Sequence, residues 1–157
     1  VVRQGLAMAG RSEQDVRFLT RVDVSMDDDP LAAGDAVRPM IAAMVMASYP
    51  NTAFLEHVGL EITPELEKMS RQKNEALAFA SGELVPDEYV RQFAWVGTPE
   101  QVAEQIAAVV DSGFDTIVFL PQPMNVDPEP ILQRFAREVI PRVHATLGAS
   151  VRSESLR

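Results

Sequence analysis

Few residues in this chain have types and spacing suited to binding or catalysis, and those few follow predicted strands. Asp23 lies near the end of one apolar run, Gly97 and Thr98 follow a second, and Gln122 follows a third. Ligands collect beyond the carboxyl ends of parallel strands, so we expect these residues to line a pocket. Gly97 and Thr98, at a helix start, are candidates for binding the phosphate of a cofactor. Asp23 and Gln122 are candidates for binding a small-molecule substrate.

Each candidate also has a structural interpretation. Thr98 with Gln101 three residues later forms a capping box, which explains Thr98 as a plain helix cap. Gln122 can bond its own backbone in a loop. The acidic residues 27–29 resemble a metal cluster, but hard cations need ligands from several loops, and acidic residues before a helix that begins near Pro30 favour the helix dipole. The sequence therefore predicts no metal site.

The remaining chemistry-bearing residues point to no catalytic group. His57 and His144 are isolated on predicted helices, where a histidine is more often a surface or packing residue than a base. The zinc-protease, hydrolase-elbow and Rossmann motifs do not occur. The absence of cysteine excludes disulfides, thiolate catalysis and sulfur-rich metal sites. No residue is assigned a catalytic role.

The segment 93–120 reads as one strand-helix-strand unit. Residues 93–96 form a short apolar strand, Thr98 caps a helix, and Gly113 ends that helix. The apolar positions of the helix recur at helical spacing, at Val102, Ile106, Val109 and Val110. Residues 116–120 are apolar at nearly every position, which predicts a strand covered on both faces. A parallel α/β fold follows.

Other elements are predicted by the same periodicities. A strand over 16–25 places Phe18, Val22 and Val24 on one face, and Arg21 and Asp23 on the other. Helices are predicted over 1–9, 54–58, 64–80 and 129–147, and two more begin at Pro30 and Pro86. The helix from Pro30 is expected to kink or restart at Pro39. A proline-rich loop is predicted at 121–128 and a frayed tail at 148–157. Met40, Met44 and Met46 suggest either core packing or an adaptable binding surface.

Three strings in this order resemble the C-terminal end of the luciferase-like monooxygenase superfamily. They are Gly97-Thr-Pro-Glu-Gln-Val, Asp111-Ser-Gly-Phe-Asp-Thr-Ile-Val-Phe, and Asp127-Pro-Glu-Pro-Ile-Leu-Gln-Arg-Phe-Ala-Arg-Glu-Val-Ile-Pro. The upstream strings Ala9-Gly-Arg, Val22-Asp-Val-Ser-Met-Asp-Asp-Asp-Pro and Arg38-Pro are similar to deazaflavin-dependent members that resemble methylenetetrahydromethanopterin reductase. The likeness extends to about Leu147.

The resemblance implies a TIM barrel and an oxidoreductase or monooxygenase that uses coenzyme F420 or FMN on a small organic substrate. A complete barrel needs roughly 200 residues or more, and this chain has 157 and begins without Met. We therefore expect residues 1–147 to be the C-terminal part of such a barrel, with about three parallel strands and surrounding helices. The family's cofactor contacts come mostly from the N-terminal portion, so the resemblance assigns no catalytic residue here.

Two alternatives remain open: a non-catalytic structural or assembly piece, and an unrelated α/β enzyme that binds a phosphorylated ligand at Thr98. A content of 46% hydrophobic and 24% charged residues is typical of a folded domain. The net charge of −9 argues against a nucleic-acid partner.

We also predict no membrane span, no signal peptide and a cytoplasmic location. If part of a barrel is missing, the methionine stripe and the Val102 face are left partly bare. Such a patch recruits a partner, either the N-terminal part of the barrel or a second copy in a homo-oligomer.

Overall fold

A computed structural model of the protein describes residues 2–17, 19–112, 114 and 116–154. Within these residues, three parallel strands form one sheet: β1 (Leu19–Met26), β2 (Ala94–Gly97) and β3 (Thr116–Pro121). The helices are α1 (Val2–Met8), α2 (Pro30–Ser48), α3 (Ala53–His57), α4 (Pro64–Ser70), α5 (Glu75–Ala80), α6 (Asp87–Phe93), α7 (Pro99–Asp111), α8 (Glu129–Arg134) and α9 (Ile140–Glu154). Short 3₁₀ turns lie at Glu13–Asp15 and Gly82–Leu84.

The strand order is β2-β1-β3, so β1 lies at the centre of the sheet. β2 pairs with β1 from Asp23 opposite Ala94 to Met26 opposite Gly97. β3 pairs with the other edge of β1 over Leu19 to Val24. β2 and β3, which the sequence joins as one strand-helix-strand unit, are therefore not neighbours, and α7 connects them across β1.

Helices α2 to α6 pack around a helical core. Its fully buried side chains include Val37, Leu55, Leu66 and Tyr89. The longest of these helices, α2, begins at a cap in which the Asp29 carboxylate accepts a hydrogen bond from the Leu31 amide at 3.0 Å. α2 is continuous through Pro39, so a restart there is wrong, and the alternative, a kink, stays a prediction.

The predicted helix over 64–80 is two helices. α4 ends at Ser70, and Lys73 has a φ of 49°, in the left-handed region that cannot continue an α-helix. The Asn74 side chain then accepts a hydrogen bond from the Leu77 amide at 3.1 Å and starts α5. Residues 70–75 are all polar, but Leu66 and Met69 before them and Leu77 and Ala80 after them keep one helical phase, which is why the pattern suggested one helix.

A sheet core lies on the other side of the sheet, where α7, a π-helical segment (Phe135–Val139) and α9 pack against β1 and β3. Its buried side chains include Val24, Val102 and Ile106, and Phe119 stacks on Phe135 with ring centroids 4.0 Å apart. The expectation that the Val102 face is left partly bare is wrong, since Val102 is 0% exposed. That face of α7 meets the sheet itself.

The expectation that β3 is covered on both faces is also wrong. Every β3 residue is half-buried except Val118, which is 41% exposed. Ile117 and Phe119 point into the sheet core, so Val118 points to the opposite side. Val118 is paired with Arg21, and neighbouring Leu19 is exposed as well. We call Leu19, Arg21 and Val118 the open face of the sheet.

The last helix and the first strand differ from their predicted bounds. α8, the π-helical segment and α9 follow one another to Glu154, past the predicted end at Leu147. The flexibility of residues 148–157 stays a prediction. β1 begins at Leu19 rather than Val16, whereas Phe18 and the predicted helix stop at Gly113 lie outside the described residues.

α2 satisfies the length and composition criteria for a membrane span, although the sequence analysis predicted no such run. Its residues Val37, Ile41 and Val45 are buried in the helical core. Arg38, on the same helix, forms ion pairs with Asp35 and with Asp87 of α6. These contacts are typical of the core helix of a globular domain.

Candidate functional site

The carboxyl ends of the three strands meet at one edge of the sheet, as the parallel pairing requires. Beyond β1, the Asp27 amide donates to the Gly97 carbonyl at 3.2 Å. Beyond β3, the Gln122 amide donates to the Val24 carbonyl at 2.8 Å. The backbone bonds therefore continue past the strand ends and hold the loops that start at Asp27, Thr98 and Gln122 beside one another.

Asp23 and Gln122, the two candidate substrate residues, are in direct contact. The Gln122 side-chain amide donates a hydrogen bond to Asp23 Oδ1 at 2.6 Å. Gln122 is only 4% exposed, whereas Asp23 is half-buried. Among the described residues, Gln122 is the single partner of the Asp23 side chain, so Oδ2 keeps its capacity to accept a hydrogen bond. Their role in binding substrate stays a prediction.

Two pockets lie between α2 and the sheet, and Met40 lines both of them. On one side of Met40 lies a pocket of about 430 Å³ between β1 and α2, which Asp23 lines. On the other side lies a pocket of about 250 Å³, which Gln122 and the loop after β3 line. We call the two pockets together the Met40 groove, whose lining includes Arg21, Asp23, Met40, Met44, Phe79, Phe93, Gln122 and Met124.

The methionine stripe is divided between core and groove. Met46 is buried in the helical core, whereas Met40 and Met44 are half-buried and line the groove. Core packing is therefore confirmed for Met46, and Met44 also packs against the helical core, whereas an adaptable binding surface stays a prediction. Arg21 and Phe79 also line the groove, and the sequence analysis assigned neither a role. For Arg21, its alternation with Asp23 on the strand was the available signal.

Gly97 and Thr98 lie at the start of α7, in the predicted capping box. Thr98 N–H donates to Gln101 Oε1 at 2.9 Å, and Gln101 N–H donates to Thr98 Oγ1 at 3.4 Å. Gly97 has a φ of +133°, and a Cβ added there would lie 2.3 Å from Gln101 Oε1. A side chain at position 97 is therefore incompatible with this cap.

The same capping box leaves the start of α7 poorly suited to a phosphate group. The amides of Thr98 and Gln101 are both engaged, and Pro99 has no N–H. Glu100 adds an acidic side chain to the first turn. A phosphate site needs several free amides that point at the ligand, so cofactor binding by Gly97 and Thr98 has little geometric support and stays a prediction.

Each of the three consecutive aspartates after β1 has a separate structural partner. Asp27 accepts from the Asp29 amide at 2.9 Å, and Asp29 caps α2. Asp28 pairs with Arg134 of α8, and this hydrogen bond raises the pKa of Arg134. Arg134 also lies 3.4 Å from Glu138. The ion pair between Asp28 and Arg134 ties the loop after β1 to the helix after β3.

The two histidines lie apart from the groove. His57 is the last residue of α3 and is exposed. His144 is exposed on α9, at the rim of an apolar cleft of about 290 Å³ that Phe119 and Phe135 also line. Within the described part of the chain, no group of three or more histidines and carboxylates is placed to hold a metal ion.

Residues 1–116 match the family model described as luciferase-like monooxygenase. The chain belongs to this family. It is 31% identical over 147 residues to a 5,10-methylenetetrahydromethanopterin reductase of Archaeoglobus fulgidus, covering 88% of this chain and 42% of the relative. It is 27% identical over 144 residues to an F420-dependent glucose-6-phosphate dehydrogenase of Rhodococcus erythropolis, covering 92% of this chain and 37% of the relative.

The fold of this luciferase-like chain matches a solved structure. The coenzyme F420-dependent tetrahydromethanopterin reductase of Methanopyrus kandleri superposes with a TM-score of 0.74 at 23% identity, over 90% of this chain and 40% of that one. The predicted fold class, the C-terminal portion of a TIM barrel with three parallel strands, is confirmed. The chain spans about two fifths of the length of the relatives that it matches.

Proposed function

We propose that this chain is the carboxyl-terminal part of a deazaflavin- or flavin-dependent oxidoreductase, and that the Met40 groove is its share of the active site. The observation that carries the proposal is the Asp23–Gln122 pair, in which Gln122 follows the carboxyl end of β3 and each residue lines a pocket beside Met40. Barrel enzymes place their active sites at the carboxyl ends of their strands. Membership of the luciferase-like family supports the reaction class.

Coenzyme F420 is the proposed cofactor, with FMN as the alternative. The support for F420 comes from relatives, one of which is an F420-dependent dehydrogenase. When bound, such a ring exchanges a hydride with the substrate, while the protein binds and orients both. In this chain, the groove offers a flat ring the apolar side chains of Met40, Met44 and Phe93, whereas the start of α7 does not fit a phosphate tail.

The Asp23–Gln122 pair orients the substrate in this proposal. Gln122 is buried and makes two bonds to β1, through its backbone amide and its side chain, so it holds Asp23 in one position. Asp23 Oδ2 then accepts a hydrogen bond from a hydroxyl or amino group of the substrate. The apolar walls exclude water around that bond, which strengthens it.

The open face of the sheet requires a partner in this proposal. Leu19 and Val118 are exposed large apolar residues on adjacent strands, on the side of the sheet that α2 also contacts. We propose that Leu19 and Val118 pack against the rest of the barrel, which corresponds to the remaining length of the relatives, and that Arg21 beside them stays accessible from the Met40 groove. A second copy of the chain is the alternative. We also propose a cytoplasmic location, which the absence of cysteine supports.

Cofactor titration tests the proposal. Oxidised F420 and FMN are each titrated with the intact chain while the fluorescence anisotropy of the ring is measured. We expect binding that Met40→Trp abolishes, because Met40 lines both pockets and the larger side chain fills them. Met8→Trp makes the same change at an exposed position of α1, where the side chain is 84% exposed, and should bind like the unaltered chain.

The outcomes separate the three functions that the sequence allows. Failure of both cofactors to bind, or equal binding by the Met40→Trp and unaltered chains, would remove the support for an oxidoreductase site in this groove and favour a structural piece. Quenching of Trp95 by a sugar phosphate, without any effect of F420 or FMN, would favour the phosphate site at Thr98.

A further inference from the structure

Arg21 is a charged residue of the Met40 groove to which the proposed function assigns no task. It lies on β1 two residues before Asp23, so the two side chains project from the same face of the sheet. Both line the pocket of about 430 Å³. Along an extended strand, residues two apart are separated by roughly 6–7 Å. The guanidinium and the carboxylate therefore line one pocket without forming an ion pair with each other.

The guanidinium of Arg21 makes no hydrogen bond or ion pair within the part of the chain that the structure describes. Some arginines of this acidic chain have carboxylate partners, as Arg38 has Asp35 and Asp87, and Arg134 has Asp28. Arg91 and Arg137 resemble Arg21 in having no ion-pair partner among the described residues, but only Arg21 lines this pocket. Arg21 retains all five of its N–H donors in an exposed position at the pocket.

The surroundings of Arg21 suit an anionic ligand. The opposite wall of the pocket is formed by Met40, Met44 and Phe93, which carry no charge and no strong hydrogen-bonding group. A guanidinium can bind a carboxylate or phosphate through two parallel charged N–H bonds, which are stronger than hydrogen bonds between neutral groups. Arginine is better matched than lysine to such planar, two-point recognition.

We propose that Arg21 is a specificity-determining residue that selects a substrate bearing a phosphate or carboxylate group close to a hydroxyl or amino group. The oxyanion binds Arg21, and the neighbouring donor binds Asp23 Oδ2. The inference rests on the proposed function for the claim that the ligand is a substrate. It differs from that proposal in requiring a negative charge on the ligand, which neither Asp23 nor Gln122 would attract.

Three probes that share one sugar ring test the charge requirement. Glucose 6-phosphate carries a phosphate, glucuronate carries a carboxylate at the same carbon, and glucose carries neither. Each is titrated into the intact chain while the backbone amide resonances of β1 are followed by nuclear magnetic resonance. We expect one or both anionic probes to bind, and glucose to bind at least ten times more weakly. The stronger of the two anions identifies the group that the pocket prefers.

Substitutions at Arg21 test the assignment to this residue. Arg21→Gln removes the charge and should weaken binding of the preferred anion roughly 10- to 100-fold, the usual cost of losing a charged hydrogen-bond partner. Arg21→Lys keeps the charge but loses the two-point geometry and should bind with intermediate affinity. Arg137→Gln makes the same change in net charge at an exposed position of the π-helical segment and should bind like the unaltered chain.

Two results would overturn the inference: no anionic probe binding more tightly than glucose, or equal affinity of the Arg21→Gln and Arg137→Gln variants. Cofactor titration of the same samples separates this inference from the proposed function. If neither F420 nor FMN binds, but an anionic probe binds in a way that depends on Arg21, only the oxidoreductase proposal is contradicted. If F420 or FMN binds, but no anionic probe binds in a way that depends on Arg21, only the role of Arg21 is contradicted.

Discussion

The helical core and β3 bury their apolar residues to very different extents. In the helical core, Leu55 and Leu66 are completely buried among α2 to α6. In β3, an equally apolar segment, every described side chain retains some exposure, and Val118 lies on the open face. Helices bury a stripe against one another within a short stretch of chain, whereas a strand needs cover on two faces and at two edges.

This difference indicates how each region is held. The helical core depends on apolar packing that is complete within the chain. β3 depends on its backbone pairing with β1, on one packed face and on the polar contact between Gln122 and Asp23. The candidate site therefore lies in the less packed of the two regions, where a ligand can reach it. Three predictions test this comparison.

The largest effect is expected from removing a packed side chain of the helical core. Leu66→Ala should lower the free energy of unfolding by about 2–5 kcal/mol, because the side chain is 0% exposed and its removal leaves a cavity. Val118→Ala on the open face should change it by about 0.5 kcal/mol or less. Urea unfolding followed by circular dichroism measures both, and equal losses would contradict the difference in packing.

A smaller effect is expected from removing the polar contact that holds β3. Gln122→Ala should destabilise the fold by about 1–3 kcal/mol, because it removes a hydrogen bond and leaves the half-buried Asp23 carboxylate without its partner. Gln133→Ala removes an exposed bond to Glu129 on α8 and should cost about 0.5 kcal/mol or less. The same unfolding measurement compares them. Indistinguishable midpoints would mean that β3 does not depend on Gln122.

The smallest effect is expected from acid, which tests whether ion pairs matter in the helical core. A hydrogen bond from Arg38, together with its positive charge, lowers the pKa of Asp87 below its ordinary value of 3.8. Because the folded-state pKa is depressed, the stabilisation is complete above pH 3.8 and is lost as the pH falls through the lowered pKa. Stability should therefore decline below about pH 4, and less steeply in Asp87→Asn.

Urea midpoints at a series of pH values from 6 to 3 check this dependence. Glu104→Gln, an exposed change on α7 that also removes one carboxylate, is the matched control and should follow the unaltered chain. If Asp87→Asn and the unaltered chain lose stability in parallel, the pair between Arg38 and Asp87 contributes nothing measurable.

Local features of the fold were predictable because their partners lie close along the chain. In the capping box, Thr98 and Gln101 are three residues apart. Asp29, which caps α2, accepts a hydrogen bond from the amide of Leu31, two residues further on. The alternation of Arg21 and Asp23 against Val22 and Val24 follows from strand geometry alone. The break between α4 and α5 was missed because the apolar period continues across it.

The residue types and local geometry of the site were determined by the sequence: a carboxylate and a guanidinium on one face of β1, and an amide just after β3. Only the tertiary structure decided that Asp23 and Gln122, 99 residues apart, share a hydrogen bond, that β1 separates β2 from β3, and that β3 is half-exposed. Caps and side-chain alternation are set by neighbouring residues. Strand order and burial are set by which distant segments pack together, and no local pattern encodes that choice.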